Sequence, residues 1–178
     1  KEAIPSNAPK PLGREVVLRM FADSDHAGEK ATRRSRSGFM ILMNMGLIQW
    51  YCKQQATVEG AVFGVEFVCL KQGVECLKGI RYKLRMMGIP IDGPTWIYGD
   101  NMSVIKNTST PESMLKKKSN AICYHLVREA VAAKECLTCW VPTLRNWADL
   151  LTKVLSGRKR QRLVKNVLYD IYDDFEED

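Results

Sequence analysis

From Arg14 to Lys53 the apolar residues come in short β-rich runs, whereas beyond Phe63 they recur at three- and four-residue steps. The first regime predicts strands and the second helices, because a strand alternates faces while a helix returns to one face about every 3.6 residues. Val16, Val17, Leu18, Met20 and Phe21 predict a strand over Arg14–Asp23, followed by a loop over Ser24–Arg34. A second strand is expected over Gly38–Asn44 and, after a Met45-Gly46 turn, a third over Leu47–Lys53, which together make an antiparallel meander. Phe63, Phe67, Leu70, Val74, Leu77 and Leu84 then mark one long amphipathic helix or two abutting ones, with Gly88 as the stop signal. A Pro90–Pro94 turn leads to a short buried strand, Thr95–Gly99, and a brief helix, Met102–Asn107. Helix Asn120–Lys134, strand Leu137–Val141, helix Asn146–Leu155 and an amphipathic helix Arg160–Tyr172 complete the reading. With the brief helix set aside, the order is βββαβαβα plus a C-terminal helix. That order implies an α/β fold with a five-stranded mixed sheet flanked by helices.

Composition narrows the class without naming it. At 178 residues, 46% hydrophobic and 26% charged, the chain suits one globular domain. No apolar run approaches the roughly 18 residues that span a bilayer, and the N-terminus lacks a signal-peptide pattern. The six cysteines read as structural thiols; Cys136 and Cys139 form one C-x-x-C, but no second pair or flanking His completes a zinc set. Net charge is +7, and the six acids between Asp170 and Asp178 make the preceding body +13 (7 plus 6). Basic clusters at Arg33-Arg34-Ser35-Arg36, Lys116-Lys117-Lys118 and Arg158-Lys159-Arg160 suit a polyanionic partner such as nucleic acid, although any one of them also reads as a solvated face.

Four acids fall where such a sheet can gather them. Asp23 ends the first strand, Glu66 lies in the first turns of the long helix, Asp100 ends the fourth strand and Asp149 opens the helix after the fifth. Ligands of α/β sheets collect at strand ends. Carboxylates drawn together there repel unless cations neutralise them, and hard oxygen donors select Mg²⁺ or Mn²⁺. Each acid also has a structural reading: Asp23 and Asp25 as turn caps, Asp100 as a helix N-cap, Asp149 as a favourable charge at a helix start. Glu66 is the hardest to read that way, since apolar residues flank it.

These residues resemble a known family. Phe21-Ala22-Asp23-Ser24-Asp25-His26-Ala27-Gly28 is similar to the D-A-D-W-A-G opening of the ribonuclease H domain of copia-type (pseudoviral) LTR retrotransposons. Arg33-Arg34-Ser35-Arg36-Ser37-Gly38 resembles the family's arginine-rich S-x-S-G segment, and Trp50, Lys53, Gln55, Thr57 and Val58 its W-x-x-K-x-Q-x-T-V. Val65-Glu66-Phe67 falls on A-E-Y, and Tyr98-Gly99-Asp100-Asn101-Met102-Ser103 on Y-x-D-N-x-S. Tyr124–Glu129 falls on Y-H-F-I-R-E and Ala148–Lys153 on A-D-I-L-T-K. Departures are Gly64 for an acid before the catalytic Glu, His26 for Trp, and Lys118-Ser119-Asn120-Ala121 for K-H-I-D.

The resemblance implies a ribonuclease H-like fold and cleavage of the RNA strand of RNA–DNA hybrids during reverse transcription. It implies two Mg²⁺, with Mn²⁺ as a substitute, about 3.5–4 Å apart on Asp23, Glu66, Asp100 and Asp149, with Asp23 bridging. Ser24, Gln55, Asn101 and Ser103 become candidates for reading the 2′-OH, and Arg33, Arg34, Arg36, Lys116, Lys117 and Lys118 for gripping phosphates. Residues 1–13 read as a linker from a preceding polyprotein region, 14–156 as the ribonuclease H domain, 157–172 as a basic amphipathic helix and 173–178 as an acidic tail. The implied partners are the hybrid and the reverse transcriptase domain of the same polyprotein, with no membrane. The implied location is the cytoplasm, in a retrotransposon particle, or the nucleus. Two alternatives stay open: a ribonuclease H-like connection module with little or no activity, and a DNA-acting nuclease of the same superfamily.

Overall fold

The structure, a computed structural model, describes residues 2–29, 31–110 and 120–168. Lys116, Lys117 and Lys118, the end of the expected C-terminal helix and the acidic tail lie outside the described residues.

Strands β1 (Leu18–Asp25), β2 (Arg36–Met43) and β3 (Gly46–Gln54) form the expected antiparallel meander. Helix α1 (Val62–Met86) follows, then β4 (Thr95–Gly99), α2 (Met102–Ser109), α3 (Ala121–Ala132), β5 (Cys136–Trp140), α4 (Asp149–Thr152) and α5 (Gly157–Val164). The five strands lie in the order β3-β2-β1-β4-β5, with β4 parallel to β1 and β5 parallel to β4. β1 is therefore central, and its C-terminal end lies beside that of β4.

Alternation along β1 divides the molecule into two layers. Leu18, Met20 and Ala22 join Phe39, Ile41, Phe67, Leu70, Val74 and Leu77 in the main core beneath α1 and α3. Phe21 faces the other side, where it packs with Leu42 and Ala148 and stacks on Trp147 and Tyr98. Each large apolar side chain so buried contributes roughly 1.5–3 kcal/mol, and together they hold the sheet that carries the acids.

Helix α1 is one continuous helix, and its end is set by backbone geometry. Gly88 takes φ +73°, and the Gly88 and Ile89 amides donate to the Arg85 and Leu84 carbonyls, a Schellman closure. The far layer depends on a missing side chain: a Cβ on Gly38 would lie 2.7 Å from Thr152 Cγ2 and 2.9 Å from Leu151 Cβ. Glycine at that point of β2 lets α4 lie against the sheet.

The N-terminal segment packs on this framework. The Leu12 amide donates to the Gly88 carbonyl, and Glu2 makes a two-pronged contact with Arg81 at 2.8 and 2.6 Å. Arg81 is 2% exposed and also donates to the Gly93 carbonyl and Thr95 Oγ1. Its pairing with Glu2 is what makes a guanidinium tolerable there, since an uncompensated buried charge is strongly unfavourable.

Three elements depart from the sequence expectation, the first being β1, which runs Leu18–Asp25 in place of Arg14–Asp23. In place of a helix over Asn146–Leu155 there is a single 3₁₀ turn, Thr143–Arg145, and the four-residue α4. Asn146 accounts for the difference: it is fully buried, donates to the Ala22 carbonyl and accepts from the Ala148 amide, so it serves as a tether to β1 and not as a helical position. α5 closes at Val164, earlier than the Tyr172 expected.

Candidate active site

Three of the four acids converge. Oxygen atoms of Asp23, Glu66 and Asp100 lie within 4.8 Å of one another. Each comes from a different element: Asp23 from β1, Asp100 from the residue after β4, and Glu66 from the start of α1. Parallel pairing of β1 with β4 brings the first two together, and packing of α1 across β1 and β2 brings the third. Asp23 is further fixed through its backbone, whose carbonyl accepts from Cys69 Sγ at 3.1 Å. Asn101 accepts from the Ser103 and Val104 amides and so caps α2 itself. That leaves the Asp100 carboxylate free of the capping task the sequence allowed it. The three acids line an open cleft of about 660 Å³ with Ser24, Asp25, His26, Asn101, Met102, Ser103 and Lys153.

The cluster is costly as it stands. Burial, then repulsion from Asp23 and Asp100, pushes the Glu66 carboxyl up to about 8, and the Ser24 hydroxyl and Lys153 offset this only in part. Asp23 is raised to about 6, chiefly by burial, against the bonds it receives from Thr152 and Lys153. Buried acids that resist ionisation at each other's side are a frequent mark of functional sites.

Asp149 departs from the expected four-acid set. It is fully buried but outside the trio, because α4 presents it to two lysines: Lys153 Nζ at 2.7 Å and Lys159 Nζ at 2.5 Å. Lys153 reaches on to Asp23 Oδ1 at 3.0 Å and approaches Asp100 Oδ2 at 3.8 Å. Burial works against its charge, but the bonds to Asp149 and Asp23 prevail and its pKa rises. Thr152 completes the arrangement by donating a hydrogen bond to Asp23 Oδ2.

The expected nucleic-acid contacts divide. Gln55 does not face a partner: it is 2% exposed, and its amide nitrogen donates to Ser37 Oγ and the Val65 carbonyl, joining β2 to α1. Ser24 is also buried, its hydroxyl near Glu66 but without a hydrogen-bond partner among the described residues. Asn101 and Ser103 line the cleft. Arg33, Arg34 and Arg36 are exposed. Arg34 and Arg36 line a second cavity of about 320 Å³, which shares Asp25 and Lys153 with the acid cleft. Asp25 and Glu29 line the same cavity, so the arginines beside the acid cleft are in part paired with carboxylates.

Residues that sequence reasoning did not assign are Asn146, Thr152, Lys153 and Lys159. A signal for two of them was present, since Thr152 and Lys153 stand three and four residues after Asp149 and share its helical face.

No family model matches the chain. It is 27% identical over 155 residues, 87% of its length, to the "Retrovirus-related Pol polyprotein from transposon RE1" of Arabidopsis thaliana. It is 25% identical over 83% of its length to the corresponding polyprotein from transposon TNT 1-94 of Nicotiana tabacum. The chain spans 11% of the length of each of these polyproteins. Among solved structures it is similar to the N-terminal ribonuclease H domain of Rv2228c from Mycobacterium tuberculosis, at a TM-score of 0.59 and 14% identity, covering 85% of this chain and 98% of that one. It is similar also to LC11-RNase H1 solved in complex with an RNA/DNA hybrid, at a TM-score of 0.58 and 13% identity, covering 78% and 94%. The architecture is therefore that of ribonuclease H, as the sequence motifs implied.

Proposed function

We propose that this chain, which has the ribonuclease H fold and resembles a segment of the copia-type Pol polyproteins of plant transposons, hydrolyses the RNA strand of RNA–DNA hybrids with divalent metal ions. One observation carries the reading: the meeting of Asp23, Glu66 and Asp100 within 4.8 Å at the ends of adjacent parallel strands. The donor set fits the ion. Three hard carboxylate groups in a cleft open to solvent suit Mg²⁺ or Mn²⁺, which favour oxygen ligands and retain room for water and phosphate.

Asp23, Glu66 and Asp100 would hold such an ion, with Asp149 at the edge of the set. When bound, it supplies an activated water at neutral pH and charge neutralisation at the scissile phosphate. The chain's own side chains do the rest. Thr152 fixes one oxygen of Asp23 and so orients the carboxylate. Asn101 and Ser103, at the rim, are suited to the 2′-OH that distinguishes RNA from DNA. Arg34 and Arg36, with the neighbouring Arg33, would hold the backbone phosphates of the substrate without reading its sequence. The solved LC11-RNase H1 complex supports the hybrid as substrate class, and the polyprotein relatives support a reverse transcriptase domain as the chain's partner.

A second reading rests on one feature. Asp149 is bound by two lysines, an arrangement that suits a module that binds hybrids and cuts them slowly or not at all. Incubation of the protein with matched RNA–DNA hybrid, DNA duplex and RNA duplex in Mg²⁺ separates the cases. Cutting of the RNA strand in the hybrid alone is expected, with loss of at least ~10²-fold in Asp100→Asn, comparable to losses when a group stabilising the transition state is removed. Hybrid binding without cleavage in Mg²⁺ or Mn²⁺ favours the module, and cutting of plain DNA favours a DNA-acting nuclease.

A further inference from the structure

Lys153 closes α4, and its ammonium reaches into the acids. Nζ lies 3.0 Å from Asp23 Oδ1 and 2.7 Å from Asp149 Oδ1, with Asp100 Oδ2 at 3.8 Å. The two carboxylates it joins are those that any cation between Asp23 and Asp149 would have to use. The second oxygen of Asp149 is held by Lys159. On this side of the cluster, cationic groups of the chain itself already fill the place of a ligand.

We propose that Lys153 is a built-in cation occupying the Asp23–Asp149 side of the site, so that the protein alone takes one divalent ion, at Asp23, Glu66 and Asp100, and a second enters only when this ammonium leaves. The inference rests on the reading of the acids as a metal site and revises its two-ion form. Lysine suits the task, as a compact charge on a flexible stem. Its side chain is 33% exposed, and it borders the cavity lined by Arg34 and Arg36. A substrate phosphate entering there offers the ammonium an alternative partner. Entry of the second ion is thereby coupled to binding of the nucleic acid.

Titration of the full chain with Mn²⁺ in the absence of nucleic acid, followed by calorimetry and by the paramagnetic signal of free Mn²⁺, tests this. The wild-type protein should take one ion per chain. Lys153→Met, which keeps length and removes charge, should take a second, or bind it at least ~10-fold more tightly, a change of about 1.4 kcal/mol. Lys153→Arg, which keeps the charge, should return to one ion. Circular dichroism of each variant establishes that it is folded. Two ions of similar affinity in the wild-type chain overturn the inference and leave the metal-site reading intact. Lys153→Arg gaining the second ion overturns it in the same way, as does a folded Lys153→Met that matches wild type. A folded wild-type chain that binds no Mn²⁺ overturns the metal-site reading, and this inference with it.

Discussion

At Glu66 the environment favours the neutral acid, with a pKa near 8 set by burial and by two neighbouring carboxylates, and Asp23 follows at about 6. Both hold protons more tightly folded than unfolded. Their contribution to stability is therefore fully present below the ordinary carboxylate range, near pH 4, and is lost as pH rises through about 6 and then about 8. With EDTA present, the melting temperature should fall between about pH 5 and 9, and Mg²⁺ should restore it most at the alkaline end. Binding the ion there displaces fewer protons. A melting temperature that is flat or rising across this window would contradict the assignment. At this scale Asp23, Glu66 and Asp100 were legible because each stood at an element end with an acid's chemistry to explain. The burial of Gln55 and the lysine partners of Asp149 were not legible, since both depend on which long side chains meet across the sheet. The spacing of Asp149 and Lys153 was visible, but not that the lysine would span two carboxylates.

Among the elements, the strands were the most readable: the boundaries expected for β4 match those found, and β2 and β3 differ by a residue or two. Their β-rich apolar runs specified them, although β1 begins at Leu18, four residues later than the Arg14 expected. Asn146 shows the opposite case. Nothing in its local sequence announces that its amide will bind the Ala22 carbonyl, and the helix expected across it shrinks to α4. The N-terminal segment is a further example, because a Pro- and Ala-rich stretch carries no sign that Glu2 will meet Arg81. Removing one partner of a buried pair costs about 3–5 kcal/mol, and each kcal/mol is worth about 2–4 °C in a chain of this size. Glu2→Ala should therefore lower the melting temperature by roughly 6–20 °C. Combined with Arg81→Met, it should cost less than the two single losses summed, the mark of coupled residues. Additive losses, or a shift in Glu2→Ala within about a degree, would mean that the segment does not anchor to α1.

Taken whole, the molecule sets the acid cleft beside a cavity of mixed charge that carries Arg34 and Arg36. In the proposed function the acids would hold cations, and Arg34 and Arg36, which line the adjoining cavity with Asp25 and Glu29, would hold phosphates. Hybrid affinity should fall steeply with salt, as it does when phosphate contacts release counterions. Arg34→Ala and Arg36→Ala should each weaken hybrids of any sequence alike and lower the slope of log affinity against log salt by about 1. Unchanged slopes would move the substrate to another face. The fold, the charge asymmetry and the family resemblance were all open to reading from the sequence, since they follow from pattern and motif. The division of the acids into a trio and a lysine-bound fourth follows from α4's seat against Gly38, which no periodicity encodes.

Sharing of one divalent cation by Asp23, Glu66 and Asp100 would be visible in crystals of the protein grown with Mn²⁺ and measured for anomalous scattering. A strong peak is expected within coordination distance of all three carboxylates, absent from Asp100→Asn crystals. Manganese bound elsewhere with none between these acids, or a peak undiminished by that substitution, would contradict it.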